Sequence, residues 1–222
     1  MHALIVFDHP YGPAAGDNEP HHRSLSAAML KAVVAGLDEA SHTHDLLDLA
    51  AEGFDPVMTA DELRHRRTQG TPPADVAAIQ QRLAQADHLI LIFPTWWMAM
   101  PAGTKGFLDR VLTEGFAYAE PVPGRPLVRL LHRLQEVSVL TAMTSPGWAY
   151  RWWFGRPAQQ ILACGTFRLI GIPKVRWYPI YRSVKRGADS RERELARVQR
   201  RFASIPLGAS AVRPVRLGSC PR

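Results

Sequence analysis

Trp96 and Trp97 stand together in a loop that opens at Pro94 and closes with Pro101 and Gly103, with Thr95, Met98 and Met100 nearby. Large flat and polarisable side chains in one short segment suit stacking against a flat aromatic ligand; burial at a core edge is the alternative for both indoles. A second group brackets residues 11–23, with His9 before them and Ser24 after. Ser24 precedes an apolar-periodic run and reads as a helix N-cap. The free backbone N–H groups and dipole of such a helix start suit a phosphate, with Arg23 as an extra cation. Otherwise Ser24 is only a cap and His9 only a loop residue. Pro146 and Gly147 permit a third tight turn, after another apolar run.

These groups need elements to hold them. Residues 89–93 (Leu-Ile-Leu-Ile-Phe) are a continuous apolar block of strand length, which suits a parallel strand buried on both faces and predicts helices above and below it. Residues 3–7 read as a first buried strand, ended at Asp8-His9-Pro10, where Pro disfavours a helical His9. Residues 11–23 lack an apolar period and form a loop whose Asp17 and Glu19 oppose a phosphate if they face it. Leu25, Ala28, Met29, Ala32 and Val33 then give a helical stripe. Residues 44–49 read as a second strand and 52–67 as an irregular polar excursion. A helix follows from Pro72-Pro73 through Val76, Ile79 and Leu83. After a Pro/Gly-rich connection at 119–126, residues 136–142 form a fourth strand, 158–170 a helix and 175–181 a final strand. Residues 190–202 form an arginine-rich helix with Leu195, Val198 and Phe202 on one face. Residues 1–203 are thus one domain, and 204–222 an extended or disordered tail. Strands alternating with helices imply an α/β, doubly wound five-stranded parallel sheet with helices on both faces.

With 222 residues, 46% hydrophobic and 21% charged, the chain has the make-up of one soluble domain. No apolar stretch reaches the roughly 18 residues of a membrane span. The first strand starts almost at once, without signal-peptide features, so an intracellular location is expected. Cys164 and Cys220 form no CxxC and read as reduced thiols, and the nine histidines form no metal-ligand constellation. The net charge of +7 concentrates in the second half of the chain. No nucleic-acid-binding motif accompanies it, so nucleic acid is not an expected partner. A basic face that attracts phosphorylated cofactors or anionic headgroups explains the charge as well.

Within residues 87–118, Pro94, Trp96-Trp97, Pro101-Ala102, Lys105-Gly106-Phe107, Asp109-Arg110-Val111 and Gly115-Phe116-Ala117-Tyr118 follow one another. In this order the chain resembles the NAD(P)H:quinone oxidoreductase family, flavoproteins of flavodoxin-like fold. The resemblance covers about residues 3–182 and includes Gly53-Phe54-Asp55-Pro56. It implies strand order 2-1-3-4-5, a bound flavin (FAD or FMN), and two-electron transfer from NAD(P)H through the flavin to a quinone or similar acceptor. It further implies a cytoplasmic homodimer in which the partner chain completes each site. The flavin-binding positions it marks are His9, Ser24, Leu25, Ser26, Pro94, Thr95, Trp96, Trp97, Met98, Thr141, Thr144, Pro146 and Gly147. Leu25 and Ser26 stand where the family has an aromatic residue and Asn, and only Thr141 matches its Thr-Thr-Gly-Gly. For the Tyr and His that polarise substrate in the animal members, the resemblance puts Tyr150 and Arg156 forward as catalytic. Arg156 either stabilises an anion or caps the following helix. The family also includes ancillary regulators of potassium-efflux transporters, so a membrane-protein partner is the alternative.

Overall fold

In the computed structural model, which describes residues 1–17, 23–68 and 70–206, the chain builds a sheet on the run of apolar strands. Strands β1 (His2–Phe7), β2 (Thr43–Asp48) and β3 (His88–Pro94) are followed by a two-residue antiparallel ribbon, β4 (Tyr118–Ala119) with β5 (Val128–Arg129), and then by β6 (Glu136–Ala142) and β7 (Lys174–Ile180). The five long strands are all parallel, in the order β2-β1-β3-β6-β7. Without the ribbon this is the expected 2-1-3-4-5. The helices are α1 (Leu25–Glu39), α2 (Ala60–Thr68), α3 (Ala74–Gln85), α4 (Ala102–Val111), the single turn α5 (Pro157–Gln159) and α6 (Ala188–Ala203).

Register sorts the side chains into two cores. Leu47, Val6, Leu91 and Val139 form one row across the sheet; Phe7, Ile92 and Leu140 form the next. Successive rows face opposite sides. The first row meets Val76 and Leu83 of α3 and Phe107 of α4, whereas the second meets Met29 and Val33 of α1 and Phe202 of α6. Helices α1 and α6 are so close that a Cβ on Gly36 would lie 2.4 Å from the Gln199 carbonyl oxygen. Glycine is needed there for the approach of the backbones.

Four differences from the expected elements have local causes. The excursion contains a real helix, α2, which has no apolar stripe but starts with a reciprocal cap. Thr59 donates its N–H to Glu62 Oε2 (2.7 Å), and Glu62 donates its N–H to Thr59 Oγ1 (3.2 Å). Glu62 is also held by the buried guanidinium of Arg110 at 2.7 Å. The helix expected over 158–170 is wound as a π-helix across Gln160–Arg168. Leu162, Phe167 and Ile172 recur every five residues and all are fully buried, a spacing that matches i→i+5 winding. Cys164 is disulfide-bonded rather than a free thiol, a pairing that leaves no spacing motif in the sequence; Cys220 lies outside the described residues. Of the expected tail, Ile205 packs against the second core and accepts a hydrogen bond from His42 Nε2 at 3.0 Å, while residues 207–222 lie outside the described residues.

His88 opens β3 in a fully buried position, stacked on Phe202 and bonded through Nε2 to Ser138 Oγ at 2.9 Å. Its Nδ1 has no partner among the described residues. Burial, with the Arg176 and His42 charges adding to it, pulls its pKa from 6.5 to about 3. The folded state therefore holds this ring neutral, and protons favour the unfolded chain. Stability from His88 is fully present above pH 6.5 and is lost as pH falls toward about 3. His88→Phe should flatten the acid limb of a denaturant-midpoint-versus-pH curve; an unchanged slope would assign that limb to other groups. Gly36→Ala should lower unfolding stability by roughly 1–3 kcal/mol through overpacking against α6, despite alanine's better helix propensity. Equilibrium denaturation would measure it.

Candidate active site

The carboxyl ends of β1, β3 and β6 are neighbours in the sheet, and hydrogen bonds tie their loops into one edge. Asp8 donates its N–H to Ile92 O at 3.0 Å, and its carboxylate accepts from the Thr104 hydroxyl at 2.7 Å and from the Thr104 N–H in the first turn of α4. Gly103 leaves room for that carboxylate, which would stand 2.8 Å from a Cβ there. Asp8 was not singled out from the sequence; the signal for it is an acid just past a strand, paired with a Thr in a later helix start. Across the next gap, Thr95 donates its N–H to Ala142 O at 2.8 Å, and the Thr95 and Thr141 hydroxyls bond at 2.6 Å.

At the β1 end, His9 lies between the rings of Phe7 and Tyr11. Burial lowers its pKa, opposed by the Tyr11 backbone and the Asp8 and Asp48 charges. Nδ1 lies 3.0 Å from the Tyr11 amide nitrogen and 3.1 Å from the Tyr11 carbonyl oxygen, so it accepts from the first in one tautomer and donates to the second in the other. Ser24 is the N-cap of α1 as expected: its Oγ accepts the Ala27 N–H at 3.1 Å, and its own N–H goes to Ala15 O. The N–H groups of Leu25 and Ser26, in the first turn, have no partner among the described residues. This turn borders a cavity of about 300 Å³ lined also by Gly16, Arg23 and, from α6, Arg191. Asp17 pairs with Lys31 of α1; Glu19 lies outside the described residues.

After β3 the chain reverses in a two-residue turn. Trp96 and Ala99 exchange both backbone bonds (3.0 and 2.9 Å), and Trp97 and Met98 hold φ of +50° and +62°. Those are the angles of a primed turn, normally left to Gly and Asn. Pro94 and Thr95 lead into it. The alternative that both tryptophans are buried does not hold: Trp96 is 47% exposed and Trp97 fully so. Met98 Sδ accepts from Ser145 Oγ at 3.8 Å, which joins this turn to the β6 loop containing Thr144, Pro146 and Gly147. A Cβ on Gly147 would lie 3.0 Å from the Tyr181 ring, so backbone and phenol are in close contact there.

Tyr150 does not join this edge. It is fully buried, its ring stacked on Trp177 and tilted on Tyr181, and its hydroxyl accepts the Gln159 N–H at 3.2 Å. Burial pushes the phenol up to about 12. A tyrosine beside an apolar helix reads the same in sequence whether it faces in or out; here it faces in. The phenol at the loop surface is Tyr181, half-buried, with its pKa raised by burial and opposed by the adjacent Arg151. Arg156 is the N-cap residue of α5 in a left-handed conformation (φ +57°) without a side-chain capping bond. Its charge acts on both Tyr150 and Tyr181.

A family model described as a flavodoxin-like fold matches residues 1–205. Over 118 residues the chain is 34% identical to an uncharacterized NAD(P)H oxidoreductase of Haemophilus influenzae, covering 53% of this chain and 54% of that protein. The chain thus spans about half the length of the curated relatives it matches. An NAD(P)H:quinone oxidoreductase from Methanothermobacter marburgensis superposes with a TM-score of 0.78 at 26% identity, covering 92% of this chain and 98% of that one. An FMN-dependent NADH-azoreductase from Bacillus anthracis, solved with FMN, gives 0.71 at 13% identity over 91% of this chain and 98% of its own, a likeness of fold alone. For the inward tyrosine, Tyr150→Phe should cost about 1 kcal/mol of stability by orphaning the Gln159 N–H. It should leave any ligand affinity of this edge unchanged, and a large affinity loss in a titration would return Tyr150 to the site.

Proposed function

Because the chain belongs to the flavodoxin-like fold family, we propose that it is a flavin-dependent NAD(P)H oxidoreductase that passes two electrons from NAD(P)H to a quinone-like acceptor. The observation that carries this reading is that the first turn of α1 and the Trp96–Trp97 turn follow the carboxyl ends of the adjacent strands β1 and β3. There the chain connections diverge to opposite sides of the sheet, the crevice where open α/β sheets take ligands. The names of the relatives, an NAD(P)H oxidoreductase and an NAD(P)H:quinone oxidoreductase, point the same way.

The residues fit a flavin. The N–H groups of Leu25 and Ser26, unpartnered among the described residues, the Ser24 hydroxyl and Arg23 suit its phosphate, as does the positive end of α1. Trp96 offers a wall for the ring, with Pro94, Thr95 and Met98 shaping the turn. The backbone of 144–147 and the His9 imidazole are polar partners within the same edge. When bound, the flavin supplies hydride acceptance and donation, and the protein orients it and sets its electrostatics. Arg156 and Arg151, on the β6 side, favour negative charge developing there, and the neutral Tyr181 phenol is the available proton donor. The azoreductase of the same fold is solved with FMN and the resemblance allows FAD equally, so flavin is the level of the proposal. A second copy of the chain and a cytoplasmic location belong to the same reading, and quinones, nitroaromatics and azo dyes are the acceptors to assay.

Purified protein should show flavin absorption that bleaches with NADPH or NADH under anaerobic conditions and returns with a quinone, and mass analysis of the released cofactor separates FMN from FAD. A chain that stays colourless after incubation with either flavin would overturn the reading and favour a regulatory binding role. Trp96→Ala should weaken flavin affinity by roughly 0.5–1.5 kcal/mol. Ser24→Asp should weaken it further by setting a negative charge against the phosphate, and unchanged affinity in fluorescence titrations would move the phosphate elsewhere.

A further inference from the structure

At the amino edge of the sheet, far from the rim where the loops of β1, β3 and β6 gather, the face that meets α6 changes character. Its row Ile92, Leu140 and Tyr178 is apolar or aromatic. Two residues back the row is Ile90, Ser138 and Arg176, and two further back it is His88, Glu136 and Lys174. Side chains two apart on a strand share a face, so the core gives way to polar and charged groups beneath the end of α6. A cavity of about 440 Å³ opens there, bordered by His88, Glu136, Lys174 and Arg176 of the strands, by Arg201 in the last turn of α6 and by Ile205 beyond it.

The acids at this cavity are already paired, whereas two cations are not. Arg176 Nε holds Glu136 at 2.6 Å, and Asp87 accepts from the His2 N–H at 2.8 Å and from Arg133 at 3.1 Å. Among the described residues Lys174 has no hydrogen bond or ion pair, and Arg201 has no ion pair; its Nε donates to the Tyr178 hydroxyl at 3.0 Å. The Glu136 charge acts on Arg201 only from beyond bonding distance. His88, 1% exposed, borders the same cavity with an Nδ1 that has no partner among the described residues. Buried polar atoms are nearly always paired, so an orphan at a cavity wall marks where an occupant completes it. With the Ser138 hydroxyl donating to Nε2, Nδ1 carries the hydrogen and is a donor.

Two unpaired cations and a buried donor suit a phosphate monoester, whose double charge needs both cations; one would neutralise a carboxylate. Ile205 and Pro206 add an apolar wall for an organic group. Residues 207–222, which follow that wall in the chain, contain three Arg and no Asp or Glu, so their side chains do not supply the anion. We propose that this cavity binds a small organic phosphate monoester, with Lys174 and Arg201 on the phosphate oxygens, His88 Nδ1–H as a further donor and Ile205 and Pro206 against the organic part. The length of β3, about 20 Å, separates this site from the candidate flavin edge, and the proposal does not rest on the flavin reading.

The test is isothermal titration calorimetry of the purified full chain with phenyl phosphate, with inorganic phosphate and benzoate for comparison. Phenyl phosphate is expected to bind most tightly of the three. Lys174→Gln alters a side chain with no bond among the described residues, and Arg201→Gln gives up the Tyr178 contact. Each should weaken phenyl phosphate at least about tenfold, with circular dichroism showing both variants folded. Ser24→Asp, which sets a charge against the phosphate position at the flavin edge, should leave that affinity unchanged. No binding of phenyl phosphate, or binding that ignores both cation variants, would overturn the proposal. Loss in Ser24→Asp alone would place the phosphate at α1 and overturn it too, and benzoate binding as tightly as phenyl phosphate would overturn the ligand class. A protein that takes up no flavin yet binds phenyl phosphate through Lys174 and Arg201 would sink the flavin reading and leave this site standing.

Discussion

Strand β3 leaves water no face. Residues 89–93 are all 0% exposed, and their backbone is paired on one side to β1 and on the other to β6. Such a strand is stable only if both faces of the sheet are covered by helices, which forces each crossover to leave from a carboxyl end and return over a face. The functional edge follows from that constraint. Once β1, β3 and β6 are adjacent and parallel, the loops that leave them must share one rim, whatever their sequences.

Two helix starts meet at this rim, and the protein treats them differently. The first turn of α4 is satisfied internally: Asp8, fixed at the end of β1, supplies the negative charge and accepts the Thr104 N–H and hydroxyl. Among the described residues, the first turn of α1 has the neutral Ser24 hydroxyl, which serves the Ala27 N–H, and the N–H groups of Leu25 and Ser26 have no partner. One helix end is thus satisfied by a carboxylate, and the other is the one the proposal above gives to the cofactor's phosphate. The distinction lies in where one carboxylate falls.

Backbone strain gathers at the same rim. Of the five non-glycine residues with positive φ among the described residues, Trp97, Met98, Arg156 and Arg182 follow β3, β6 and β7, and Ser41 lies elsewhere. The π-wound turn Ala149–Trp153 is there too. Left-handed and π-wound segments are costly, and here they lie in the loops that carry the exposed Trp97, Trp152 and Trp153. The rigid, doubly covered sheet beneath carries that cost.

Most of the fold was legible in the amino-acid sequence, because burial on both faces demands uninterrupted apolar runs and amphipathic helices leave a 3.6-residue stripe. All five long strands, α1, α3 and α6, and the cap at Ser24 follow from that. The loops at the ends of β1, β3 and β6 were locatable for the same reason. Helix α2 escaped because it is polar and held by the Thr59–Glu62 cap and Arg110, and the π-wound segment because its apolar spacing is five. What only the tertiary structure decided was direction: that Tyr150 turns into the core and Tyr181 faces the loop, that Asp8 reaches across 96 positions to Thr104, that Cys164 is bonded, and that the tryptophans stand outward. Local pattern fixes which residues lie on an element, whereas the orientation of a side chain at an element's end depends on contacts made by residues distant in the chain.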